Sequence, residues 1–281
     1  MYSEKIFGLF TLYGLCIAIG VLCCVLVLFK FAKGRIADSF IDFLFYNGIV
    51  AIAIGFFSAT LFQSIYNYVD ALKVDPNAKF EFGGMTFIGG LIGGVVSFLA
   101  GYFIFRPRLK GRLVDIISLL PTCIIIAHAF GRIGCFFAGC CYGKPTDSFL
   151  GVKFPFLDHK VHPTQLYEAG FLFILFAVCL LLYLKKGFKH NLSLYLLAYG
   201  VFRFCIEFVR GDERGAYILG MPPSQFLAIV MVVASVGVYF LLEYAYKVRA
   251  KELSLASANE ANAPQIEEEN EVTKPSDDEQ N

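Results

Sequence analysis

The chain has 281 residues, of which 57% are apolar, 16% aromatic and 17% charged, with a formal net charge of +1. Soluble domains lie nearer ~45–50% apolar and ~25% charged, so this composition, with a mean hydropathy of +0.65, excludes a disordered chain, a collagen-like repeat and a disulfide-stapled miniprotein. The near-neutral balance leaves no footprint for nucleic acid. The apolar residues gather in runs of about twenty, enough to cross a hydrocarbon layer ~30 Å thick, and predict an all-α polytopic membrane protein.

Hydropathy predicts about seven transmembrane helices, over roughly 8–29, 42–63, 85–105, 113–130, 165–184, 192–209 and 225–246. The first follows Met1–Lys5 without a small-residue cleavage site and reads as a retained helix. Basic clusters follow spans one, three, five and seven: Lys30, Lys33 and Arg35; Arg106, Arg108, Lys110 and Arg112; Lys185, Lys186 and Lys189; Lys247, Arg249 and Lys251. They fall on one side, which the positive-inside rule makes cytoplasmic. The N-terminus and the loops 64–84, 131–164 and 210–224 are then expected outside, and the C-terminus inside. Residues 1–251 read as the membrane domain. The stretch 252–281, with Glu267, Glu268, Glu269, Glu271, Asp277, Asp278 and Glu279, reads as a disordered acidic cytoplasmic tail.

An ionised group inside a span costs at least ~2.5–3.5 kcal/mol, which makes each one a candidate site residue. In span three, Gly83, Gly84, Gly89, Gly90, Gly93 and Gly94 allow close approach of a neighbouring backbone or of lipid. They fit neither the Walker nor the dinucleotide pattern. In span six, Tyr199, Arg203, Glu207 and Arg210 recur at spacings of four, four and three, placing them on one helical face. Such a stripe can be a structural ion pair, but Glu207 neutralises only one arginine, and the second cation suits a phosphate-bearing ligand.

The densest segment is His128–Thr146, where Gly131, Arg132, Gly134, Gly139 and Gly143 alternate with Cys135, Cys140 and Cys141. So much glycine predicts irregular backbone folded back at membrane depth, tolerated only under cover of protein or in a wet cavity. Gln165 and Glu168 then give span five a polar face at its start. Of the nine cysteines, Cys16, Cys23, Cys24, Cys123, Cys179 and Cys205 lie in apolar runs as small hydrophobes. Cys135, Cys140 and Cys141 fall on the expected outer side, where a disulfide is permitted. Their C-x4-C-C spacing is no standard zinc pattern, although His128 offers a nitrogen. Close packing or a disulfide is the plainer reading, and a redox or metal role the alternative.

In these residues the chain resembles the prolipoprotein diacylglyceryl transferase family. The resemblance runs through Tyr13-Gly14-Leu15, Gly83-Gly84-Met85, Gly89–Gly93, Gly131-Arg132-Ile133-Gly134, His162–Glu168 and the Tyr199–Arg210 stripe. It implies transfer of a diacylglyceryl group from phosphatidylglycerol to the lipobox cysteine of a prolipoprotein, forming a thioether and releasing glycerol phosphate. It also implies a bacterial inner-membrane location. The displacement itself requires no cofactor, and the cysteine spacing alone gives no reason to expect a metal. By resemblance Arg132 and Arg203 handle phosphate, with Glu207 and Arg210 beside them. Tyr13, Tyr199, Gly89, Gly90 and Gln165 become substrate-binding residues. With the usual proton acceptor absent, either Glu207 or His128 takes the proton, or the incoming thiol ionises with help from the arginines alone. The chain departs from the family where Ile88 stands for a usual His, where Cys135, Ala138 and Cys140 stand for Asn, Asn and Glu, and in lacking an arginine within Gly55–Asn67. A paralogue with another acceptor or a thiol redox role, or a lipid-binding protein without catalysis, remains open at this point.

Overall fold

The computed structural model describes residues 11–211 and 220–272, apart from the side chains of Phe87 and of 259–272. The Met1–Lys5 segment, most of the 210–224 loop and the end of the tail lie outside the described residues. The helices are α1 (Leu12–Ala32), α2 (Asp38–Val74), α3 (Phe87–Phe105), the single turn α4 (Leu113–Ile116), α5 (Leu120–Ala138), α6 (Thr164–Lys186), α7 (Asn191–Ile206) and α8 (Pro223–Val272). Among the described residues the only β-type pairings are isolated bridges.

Six of these helices are long and apolar enough to span a membrane: α1, α2, α3, α5, α6 and α8. The remaining helix, α7, at the sixth expected span, has 16 residues, a rise of about 24 Å that falls short of the ~30 Å layer. It stops at Ile206 because the next turn carries Glu207 and the chain then leaves the helix to pair, through Val209 and Arg210, with the 143–144 backbone. Two other boundaries move. The segment 64–84, expected as loop, stays helical to Val74, where Asp70 and Lys73 pair at 2.7 Å. The fourth span begins at Leu120 and not at 113, with Pro121 in its first turn, where a missing N–H costs nothing. Helix α8 also runs on into the acidic segment as far as Val272. Its 251–258 stretch is exposed, and alanine and glutamate there are strong helix formers that need no buried face.

The chain divides into two compact units. In the first, which holds α1–α6 and the short segment from Val209, α5 packs between α1 and α6 while α3 packs along α2. Its apolar core, Leu28, Ala32, Phe40, Ile41, Leu44, Tyr102, Ile116, Leu119 and Cys123, joins the C-terminal ends of α1 and α3 to the start of α2 and α5. That is the end marked by Lys30 and Arg106. Polar residues collect at the opposite end, where α1 and α6 begin and α5 finishes. In the second unit, α7 lies against α8. A Cβ added to Gly200 would stand 2.9 Å from Val232 and 3.0 Å from the Ala228 carbonyl, which shows how closely the two backbones approach. His190 pairs with Glu243 at 2.9 Å near the far end of the same helix pair.

Candidate active site

The glycine-rich stretch after His128 is helical. Helix α5 runs unbroken through Gly131-Arg132-Ile133-Gly134 and ends at Ala138, so the expected irregular backbone begins only at Gly139. Each interior glycine costs the helix about 1 kcal/mol, but Gly134 lets α1 come close. Tyr13 Cδ2 and Cys16 Cβ lie only 3.1 and 3.3 Å from where its Cβ would be. Tyr13 is thereby set over the C-terminal turn of α5, within electrostatic reach of Arg132 and of Cys135, Cys140 and Cys141.

The helix closes with left-handed Gly139 at φ 67. The Gly139 N–H donates to Phe136 O at 3.0 Å and the Cys140 N–H to Cys135 O at 3.2 Å, which satisfies carbonyls that would otherwise end unpaired. Cys141 follows at φ 64, a conformation that costs a residue with a Cβ about 1–2 kcal/mol. The start of α6 holds it there. Thr164 Oγ1 donates to Cys141 O at 2.6 Å, Gln165 Nε2 donates to Cys140 O, and both side chains are buried. Farther along, the Gly143 N–H donates to His162 O and the Lys144 N–H to Val209 O, both at 2.8 Å.

Within this frame Arg132 Nε lies 2.9 Å from Glu168 Oε1, and Glu168 is fully buried. His128, one turn earlier on α5, has Nε2 at 3.8 Å from the same oxygen. One carboxylate on α6 thus orients a guanidinium and an imidazole on α5. Glu168 was legible only as part of a polar helix face; that it is the hub of the cluster depends on the α5–α6 contact. The sulfurs of Cys135, Cys140 and Cys141 all lie within 4.8 Å of one another and none is in a disulfide. Gly89 and Gly90 face α2: a Cβ on Gly89 would meet Phe62 at 2.7 Å, and one on Gly90 would meet Ala59 at 3.2 Å. Their surroundings are helix packing.

In the second unit Arg203 Nη2 stands 3.0 Å from Glu207 Oε2, one turn on, and donates to Ser224 Oγ at 2.8 Å. Tyr199 is buried and stacks on Tyr195 with ring centroids 5.7 Å apart. The four-residue stripe expected on one face breaks after Glu207. Arg210 is buried in the first unit, its backbone bridged to Gly143, because this segment pairs with the 143–144 loop and does not continue the helix.

Residues 6–241 match the family model described as Prolipoprotein diacylglyceryl transferase. Among curated relatives, the phosphatidylglycerol–prolipoprotein diacylglyceryl transferase of Clostridium tetani (strain Massachusetts / E88) is 35% identical over 249 residues, 85% of this chain and 94% of the relative. The protein called phosphatidylglycerol–prolipoprotein diacylglyceryl transferase 2 of Clostridium perfringens (strain 13 / Type A) is 31% identical over 245 residues, 84% and 92% of the two chains. That of Bordetella bronchiseptica (strain ATCC BAA-588 / NCTC 13252 / RB50) is 31% identical over 204 residues, 70% and 76%.

Proposed function

The chain belongs to the prolipoprotein diacylglyceryl transferase family, and we infer that it moves the diacylglyceryl group of phosphatidylglycerol onto a prolipoprotein. The observation that carries this is the family match over 6–241, which takes in Tyr13, His128, Arg132, Glu168, Arg203, Glu207 and Arg210. The acceptor is the lipobox cysteine thiol. Its sulfur displaces the glyceryl carbon from phosphate, a thioether forms, and glycerol phosphate departs.

Such a displacement needs a cation where charge gathers on the leaving phosphate and a thiol that has lost its proton. Arg132, held in one orientation by Glu168, supplies a planar donor for phosphate oxygens at the α5–α6 end. Arg203, steadied by Glu207 and Ser224, supplies such a donor in its own unit, with Tyr199 as a further head-group contact, and Arg210 is a head-group contact within the first unit. Tyr13 is a further head-group contact at the start of α1, and buried Gln165 at the start of α6 acts from behind by holding the Cys140 carbonyl. His128, beside the Glu168 carboxylate, is the assigned proton acceptor. The four basic clusters support an orientation with the N-terminus outside and the C-terminus cytoplasmic, and membership of the family supports a bacterial inner-membrane location.

The test is transfer of label from phosphatidylglycerol to a lipobox peptide by the purified protein, beside Arg132→Ala and Arg203→Ala. Label on the peptide cysteine, with each variant about 10²-fold slower, is expected from loss of one preorganised donor. Folded protein that transfers nothing while the Clostridium tetani relative works would overturn the reading.

A further inference from the structure

Three sulfurs within 4.8 Å of one another, in a chain whose proposed chemistry requires an ionised thiol, call for a use. We propose that Cys135, Cys140 and Cys141 bind one zinc ion through three thiolates, and that the fourth position receives the thiol of the incoming prolipoprotein. The proposal rests on the transferase reading.

The geometry fits. A Zn–S bond of ~2.3 Å sets tetrahedral sulfurs about 3.8 Å apart, so the trio needs to close by roughly 1 Å at most. A disulfide would use two of the sulfurs and leave the third beside it. Thiolates select zinc among the common divalent ions, and three protein ligands with one open position is the pattern of catalytic zinc. The ligands' own backbone is held from behind: Thr164 and Gln165 donate to the carbonyls of Cys141 and Cys140, supporting contacts of the kind that orient metal ligands. Cys140 is exposed and the other two are half-buried, so the open position can be reached. Arg132, three residues before Cys135, brings a cation toward a site that carries net negative charge once it is filled.

The chemistry also fits. Where the family usually has a histidine, this chain has Ile88, whose side chain is 53% exposed. A free thiol with pKa ~8.5 is only a few per cent ionised at pH 7, whereas a thiol on zinc gives up its proton. That proton passes to water or to His128. The zinc-bound sulfur then attacks the glyceryl carbon and a C–S bond forms. The C–O bond breaks with its electron pair leaving on the phosphate oxygen. The neutral thioether dissociates, and zinc remains Zn(II) throughout.

The experiment uses the full chain in detergent, reduced and loaded with Co(II) as a spectroscopic substitute for zinc. One cobalt per chain with a thiolate charge-transfer band is expected. The band should disappear in C135S, C140S and C141S and persist in C23S. A lipobox peptide should strengthen the wild-type band, and the same peptide with serine for cysteine should leave it unchanged. Stripping the metal should slow transfer roughly 30-fold, the deficit set by the free thiol's ionised fraction. Substoichiometric metal, a disulfide within the trio, or a band indifferent to the peptide thiol would each overturn the site. Metal-free protein that transfers at full rate would overturn it too and leave the transferase standing. Metal-bound protein that answers the peptide but transfers no label would instead overturn the transferase reading.

Discussion

The two arginine–carboxylate pairs are built differently. Arg132 and Glu168 come from different helices and join α5 to α6 at 2.9 Å. Arg203 and Glu207 lie one turn apart in the same segment, at 3.0 Å. The first is made only when two helices pack and is therefore part of what holds them in register. The second forms within one turn, and its arginine also donates to Ser224 on α8. Similar charges at similar distances thus do different mechanical work.

The largest effect that sharpens this contrast is on stability. Glu168→Gln should cost about 3–5 kcal/mol, because a buried charge loses its partner and the α5–α6 contact loses its tie. Glu207→Gln should cost about half of that. Thermal unfolding in detergent reads both, and equal costs would break the comparison. Next, Arg203→Ala should slow transfer about 10²-fold, or ~2.7 kcal/mol, while lowering the melting temperature less than Glu168→Gln does.

Gly93→Ala supplies a contrast from outside both pairs. Its Cβ would run into the Ser58 side chain on α2 and should cost about 1–3 kcal/mol of stability through overpacking, with the transfer rate per folded molecule unchanged. A lower rate with unchanged melting would mean that α2–α3 packing reaches the chemistry. Smallest is Ser224→Ala, which removes one charge-assisted hydrogen bond worth about 1.5 kcal/mol. A transfer deficit near tenfold is expected, and none if Ser224 is only a bystander to Arg203.

The same distinction governs what could be read without a structure. The spacing of Arg203 and Glu207 is a local, helical statement, and their pairing follows from it. Six of the expected spans, those at α1, α2, α3, α5, α6 and α8, fall on helices that meet the length and hydropathy of a crossing, because long apolar runs have few alternatives. Glu168 escaped because its partners lie 36 and 40 positions earlier, and no periodicity links α5 to α6. Arg210 was misplaced for the complementary reason. Helical spacing was extended past Ile206, where backbone pairing with Gly143 and Lys144 had already ended the helix. Of the irregular backbone expected over 128–146, the part from Gly139 on is found, whereas Gly131 and Gly134 stay helical because glycine lowers helix stability without forbidding a helix, and close contact with α1 compensates.

The turn beyond α5 is held almost wholly by its main chain. Thr164 and Gln165 grip the carbonyls of residues 140 and 141, while the bonds that close α5 run from backbone to backbone. None of them depends on which side chains those positions carry. The turn is therefore a socket whose contents can be exchanged without rebuilding it. Asparagine and glutamate, usual in the family, could be installed at 135 and 140 with the backbone left in place. Lineages could pass between a carboxylate-lined and a sulfur-lined version by point substitution alone.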